Sequence, residues 1–505
     1  MHRRRFLQLS NAGLWAAAPA LRAWSRRASA NEPLNLIPSA AGSAPNYWCT
    51  WGAQTALAMQ RRPDAAAMNA VDLTAVIEDY INEDTVFGAQ GWARTLFPQV
   101  RQDLFFMFDG GWSTTYSSFI VDRKKFPSFT GTPGEVALHL NQAVKKCGWR
   151  GAALWCRDTP GGRADSDIMS ALQYGHIGYV KIDVGDADFQ LVRLRDQKRV
   201  KLLFEHVSGI DGGLNGKPEA DGRYPPLDPN GVQATVLKHT DVYRIYDLQG
   251  PLDLPTAIDR VTQSIRVVEG DRRARALINA EHEVYLAAIL GCTVGIMQHA
   301  SVDLHKTSSL DQVTRALRWQ RIASPLAAGA GFLRLDGEIL IDAWTYSAAD
   351  ASYAAAPGTT IRQGAPARVT RNLELPGVAA AGDKPFVLAT RFNNGAIAVG
   401  ALGRVGIGRP YAVPRAAVTL DVAGAVGLVG IFGSFDSLTL TGRSFPAGAR
   451  VWAQDLAADR AVEVTGQVRL TTSRIEIPGS LIEAIGLSSA TPGDRSLPGL
   501  VIKVV

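Results

Sequence analysis

Beyond its first thirty residues the chain has no apolar run long enough to stay in a bilayer, no internal repeat and no net charge. Each absence excludes a class of function. A spanning helix needs about 20 predominantly apolar residues, and no such stretch exists past the leader. The formal charge of +6 comes from the leader, where Arg3, Arg4, Arg5, Arg22, Arg26 and Arg27 stand without a single acid; the remainder is neutral. A nucleic-acid partner is therefore not expected. Cysteine is also scarce: Cys49, Cys147, Cys156 and Cys292 are spaced neither as a zinc site nor as a thiol-redox pair. Cys49, Cys156 and Cys292 sit in or beside apolar segments, where a small buried thiol is the ordinary role. An oxidising compartment would permit one disulfide, and the spacing does not choose it.

What is present begins with the leader, residues 1–30. Arg3-Arg4-Arg5-Phe6-Leu7-Gln8 resembles a twin-arginine export signal. A short apolar stretch follows, broken by Ser10, Asn11 and Pro19, and Ala28-Ser29-Ala30 fits a small-residue cleavage site. These features predict an exported, periplasmic bacterial protein that meets the twin-arginine machinery.

From residue 46 the pattern alternates between strand and helix. Strands are expected at 47–51, 104–108, 151–156, 178–183, 200–204, 234–237, 276–279 and 293–297. Among the helices between them, Thr132-Pro133-Gly134-Glu135 reads as a capping box with Pro at the first helical position. Gly148 stops that helix. Eight strands with intervening helices over residues 46–345 have the size and rhythm of a (β/α)8 TIM barrel. Residues 348–364 read as a connection. Over 365–505, short runs such as 386–389, 396–399, 417–420, 437–440 and 474–477, separated by Gly, Pro, Asn and Asp, predict a C-terminal antiparallel β-sandwich.

Residues at the C-terminal ends of barrel strands face the active site. Collected in order, these are Trp51, Asp109 with Trp112, Trp155 with Arg157 and Asp158, Lys181 with Asp183, Glu205, and Asp241 with Arg244 and Asp247. Lys181 lies two residues before Asp183 and shares its side of the pleat, so the cation would keep the carboxylate ionised. A structural ion pair at a strand end is the alternative for that segment alone. Carboxylates on several strands, with tryptophans among them, suggest a sugar pocket: hydroxyls need acceptors and a sugar ring needs an apolar platform. Glycoside cleavage needs two carboxyl groups flanking the bond. Each tryptophan is open between ring platform and barrel packing.

This set resembles glycoside hydrolase clan D, the α-galactosidases and their relatives, over nearly the whole chain after the leader. Phe108-Asp109-Gly110-Gly111-Trp112 is similar to the Asp-Asp-Gly-Trp of the second strand, with Gly110 in place of the second Asp. Val180-Lys181-Ile182-Asp183 is similar to the Lys-x-Asp of the fourth strand. Asp241-Val242-Tyr243-Arg244-Ile245-Tyr246-Asp247 resembles the segment with an Arg and the acid/base Asp after the sixth, at a spacing one shorter. The resemblance implies a retaining exo-acting hydrolase with Asp183 as nucleophile and Asp247 as acid/base, Asp241 being the alternative. It implies Trp51, Asp109, Trp112, Trp155, Lys181, Glu205, Asp241 and Arg244 as substrate-binding residues, an oligo- or polysaccharide as partner, and no metal or cofactor. Gly110 opens the sugar specificity to an α-glucan or a β-L-arabinopyranoside. Transglycosylation on the same site, and a non-catalytic carbohydrate-binding barrel, are the other readings.

Overall fold

The computed structural model describes residues 34–505, apart from 63, 66–67, 116–117, 158–164, 184–188, 198–200, 202, 208–217, 246–251, 298–309, 348–356, 408–410, 424–426, 443–444 and 446–447. The leader, Asp158 and Asp247 thus lie outside the described residues.

Eight strands form one parallel sheet: β1 (Asn46–Cys49), β2 (Leu104–Phe108), β3 (Gly151–Arg157), β4 (Tyr179–Asp183), β5 (Leu203–Val207), β6 (Val242–Arg244), β7 (Leu277–Asn279) and β8 (Gly295–Ile296). They neighbour one another in sequence order, with β8 beside β1. A parallel bridge between Asn279 and Thr293 joins the last seam, so the sheet closes into a (β/α)8 barrel.

The strands are buried on both faces, which is why they read as near-continuous apolar runs. Their period of two divides the side chains between two layers. Tyr47, Cys49, Phe105, Met107, Ala153, Trp155, Tyr179 and Val242 form a common core cluster inside the barrel. The alternate residues Trp48 and Phe106 pack outward, on Trp149 and on each other. The helix Pro133–Lys146 has the expected cap: Thr132 and Glu135 satisfy each other's backbone, and Gly148 follows at φ +93°.

Three expected strands differ. Residues 234–237 belong to a helix, Val232–His239, and not to a strand. Its buried Gln233, Ala234, Val236 and Leu237 make a helical stripe, and a four-residue apolar run cannot distinguish the two periods. The sixth strand follows it at Val242–Arg244. The fifth strand lies further along, at Leu203–Val207, so Glu205 falls in its middle and not beyond its end. The first strand ends at Cys49, and Trp51 opens the helix Trp51–Arg61.

After the barrel come two large sheets, of eight and five strands, sharing one core, and a two-stranded antiparallel sheet of Ile339–Thr345 and Thr360–Pro366, whose second strand begins within the stretch read as a connection. Val387, Val399 and Ile431 of the larger sheet and Val418, Leu438 and Ile475 of the smaller belong to that core. Most neighbours run antiparallel, as expected, with parallel pairs such as Ile397–Leu402 beside Leu428–Gly433. The larger sheet already recruits Leu333–Leu335, which pairs with Arg368–Arg371.

The barrel docks on this sheet through buried charges and aromatics. Arg315 of the helix Leu310–Ile322 meets Asp455 at 2.9 Å, both side chains fully buried. Trp319 lies between Phe392 and Phe432. Arg371 donates to the carbonyls of Leu290, Ala327, Ala328 and Ala330, and burial pulls its pKa down to about 10. The four cysteines form no disulfide. Among the described residues no helix is long and apolar enough to cross a membrane.

Candidate active site

Lys181 is the third residue of β4 and points into the barrel, where it is 1% exposed. Its Nζ lies 3.5 Å from Asp109 Oδ2 and 3.8 Å from Asp183 Oδ2. Burial, then the charge of Arg244, pulls the lysine pKa down; the carboxylates of Asp109 and Asp183 outweigh both and hold it above the usual value. Cys49, at the end of β1, donates its thiol to Asp109 Oδ2 at 2.8 Å. Burial and the adjacent carboxylate push that thiol's pKa well up, so it stays a neutral donor.

Asp183 ends β4 with its side chain 16% exposed, the most open of the converging charges. Its Oδ2 gathers three donors from three strands. Trp155 of β3 donates Nε1 at 3.2 Å, Lys181 stands at 3.8 Å, and Arg244 Nη1 at the end of β6 stands at 3.8 Å. The register puts Arg157 opposite Asp183 and Trp155 opposite Lys181, which brings the indole within reach. Trp155 is fixed in turn, since its carbonyl accepts Trp112 Nε1 at 2.7 Å. Arg244 is itself 2% exposed and its Nη2 pairs with Glu281. Opposite charges at this range favour the ionised carboxylate.

Other expected residues take different places. Glu205 is fully buried beneath the cluster and accepts from Tyr47 (3.0 Å), Tyr179 (2.5 Å) and Asn279 (3.0 Å). Burial raises its pKa against the pull of Lys181 and Arg244. Its burial and these three hydrogen bonds make it the floor of the cluster. Asp241 precedes β6 and lies at the opposite, N-terminal rim. There it pairs with Arg195 at 2.8 Å and accepts from the Phe204 amide at 3.0 Å. That placement takes it out of the cluster. Trp112 is 1% exposed and packs on Phe119, so it supports Trp155 and offers no ring platform. Trp51 is half-buried against the barrel core.

Gly110 has a spatial explanation. A Cβ there would stand 2.8 Å from Glu78 Oε1, so a carboxylate already occupies that spot from another element. Gln54 bridges the carbonyls of Ile77 and Gly110, and Lys125 bridges those of Glu78 and Gly111. The end of the helix Ala70–Glu78 is thereby stapled to the turn after β2.

Sequence reading missed Glu281, Tyr47, Tyr179 and Asn279. Glu281 lies two residues past β7, the same kind of position as the carboxylates that were found. Tyr47 and Tyr179 were visible as inward members of the period-two pattern. Among the described residues no group of three or more His, Cys, Asp or Glu is placed to hold a metal ion.

No protein-family model and no curated protein matches the chain. Overlapping solved structures include a modular endo-β-1,4-mannanase from Cellulomonas fimi, at 13% identity and TM-score 0.17 over 83% of this chain and 78% of that one. A double mutant of a Cellulomonas fimi endo-β-1,4-mannanase overlaps at 13% identity and TM-score 0.19, over 87% and 81%. Likeness this slight carries no weight for fold or function, and the barrel stands on its own strand register.

Proposed function

We propose that the chain is a retaining glycoside hydrolase, exo-acting and α-galactosidase-like, with Asp183 as nucleophile and Asp247 as acid/base. One observation carries the reading: Asp183, at the C-terminal end of β4, has Trp155, Lys181 and Arg244 gathered on a single oxygen. That environment supports an ionised carboxylate held in one orientation, as a nucleophile requires. Asp183 attacks the anomeric carbon while the glycosidic C–O bond breaks, and Asp247 gives its proton to the departing oxygen. Water, deprotonated by Asp247, then displaces Asp183 and restores the original configuration. The two carboxyl groups must approach to about 5–5.5 Å for this. Asp247 follows Arg244 by three residues. Asp109 and Glu78 are the carboxylates available to bind hydroxyls.

A panel of chromogenic glycosides, α-galactoside first and then α-glucoside and β-L-arabinopyranoside, tests the activity. Proton NMR of the first-formed anomer tests retention. Cleavage of none of them, with sugar binding intact in Asp183→Asn, would replace the enzyme by a carbohydrate-binding barrel. We also propose export through the twin-arginine route. Replacing Arg3 and Arg4 by Lys should block translocation, and a full-length unprocessed protein in the native cytoplasm would refute this.

A further inference from the structure

We propose that Glu281 is the positioning residue of this site: through Arg244 it holds the cation that stands against Asp183, and so sets the pH at which the nucleophile ionises. The inference rests on the glycosidase reading above.

Glu281 is 0% exposed and lies just past β7. A carboxylate so deep is costly unless a cation faces it. Arg244 supplies that cation from β6, and it spans two partners. Nη2 takes Glu281 Oε2, while Nη1 lies 3.8 Å from Asp183 Oδ2. The guanidinium fork is planar and rigid, so fixing one nitrogen fixes the direction of the other.

The backbone gives a second, independent sign. His282, next in the chain, is a non-glycine residue at φ +63°, in the left-handed region. Its amide donates to the Gly295 carbonyl at 3.1 Å, and the Glu283 amide donates to the Glu281 carbonyl at 2.8 Å. A tight and strained turn therefore holds Glu281 in the barrel mouth. Such strain persists where the surroundings over-determine it.

The charged and titratable groups that face Glu281 are Arg244 of β6, Lys181 and Asp183 of β4, and Tyr47 of β1. Glu205 faces the same two cations, and Asp109 and Cys49 face Lys181. Glu281 and Asp183 thus compete for Arg244. In Glu281→Gln the amide oxygen keeps Arg244 in place while the competing charge is gone, so Asp183 ionises at lower pH; in Glu281→Ala Arg244 loses its anchor and leaves Asp183, which then ionises at higher pH. The two variants therefore move the acidic limb in opposite directions.

The test uses the full chain and whichever chromogenic glycoside the wild type cleaves. Glu281→Gln keeps the shape and one acceptor; Glu281→Ala removes both. Thermal melts confirm that each variant is folded. The pH profile of kcat/KM should show its acidic limb lowered by at least about half a pH unit in Glu281→Gln. At the optimum, kcat should fall roughly tenfold in Glu281→Gln and further in Glu281→Ala, with KM changing less. Loss of activity with an unmoved acidic limb would overturn the proposal, as would wild-type behaviour in both variants. If the wild type cleaves no glycoside, the glycosidase reading fails, and a crystal structure of Glu281→Ala decides this inference alone. Arg244 swinging away from Asp183 upholds the positioning role; Arg244 remaining in place overturns it.

Discussion

Replacing Asp259 by Asn should stabilise the protein near pH 7 and leave its stability unchanged near pH 4. Asp259 sits on the helix Asp253–Arg266 and is 2% exposed. Its Oδ2 accepts the Tyr224 amide at 2.8 Å and Gln263 Nε2 at 3.3 Å. Burial outweighs these hydrogen bonds and the nearby Arg223, and pushes the carboxyl from 3.8 up to about 6. Because the folded-state value is raised, the group favours folding fully below about 4, and that contribution is lost as pH rises through about 6. Holding the group ionised at pH 7 then costs the folded state about 3 kcal/mol, at roughly 1.4 kcal/mol per pH unit. An Asn oxygen at the Oδ2 position keeps both acceptor contacts without the charge. Urea unfolding of wild type and Asp259→Asn at pH 4, 5, 6 and 7 should show a gap that opens between pH 4 and 6 and reaches 1–3 kcal/mol, a range that allows roughly for imperfect replacement of the hydrogen bonds. A gap independent of pH, or a variant less stable than wild type at pH 7, would refute the reasoning.

Two further expectations concern packing and charge. Gly110→Asp should destabilise by about 1–2 kcal/mol, because its Cβ meets the Glu78 carboxylate and two like charges crowd together. Glu78→Ala should relieve that cost, and additive effects in the double variant would contradict the contact. Asp455→Ala should cost about 3–5 kcal/mol, since it strands the fully buried charge of Arg315 between barrel and sheet. An unchanged urea midpoint would contradict that pairing.

Where local chemistry was unambiguous, the fold was legible. Thr132, Pro133, Glu135 and Gly148 bracket one helix by capping rules that need no tertiary information. The run from Tyr179 to Asp183 is long enough, and bounded clearly enough, to read as a strand. By contrast, Ala234–Leu237 is too short for periodicity to separate strand from helix, and the error carried Asp241 to the wrong rim. Glu205 was legible as a barrel carboxylate, but its depth depends on strand register, which only pairing with Lys181 fixes. Gly110 read as a missing carboxylate; its replacement by Glu78 is a tertiary contact from a helix ending 32 residues earlier, invisible to any local pattern. Glu281 was accessible, since it follows β7 as Asp109 follows β2, but it belongs to no motif.

The most direct measurement is the reaction of Asp183→Ala with an activated glycoside in the presence of azide. If Asp183 is the nucleophile, turnover should fall by several orders of magnitude, about 4 kcal/mol or more of transition-state stabilisation. Azide, entering the space the carboxylate leaves, should restore part of it and yield a glycosyl azide of inverted configuration. Wild-type-like hydrolysis by Asp183→Ala, or azide rescue with retained configuration, would contradict the account.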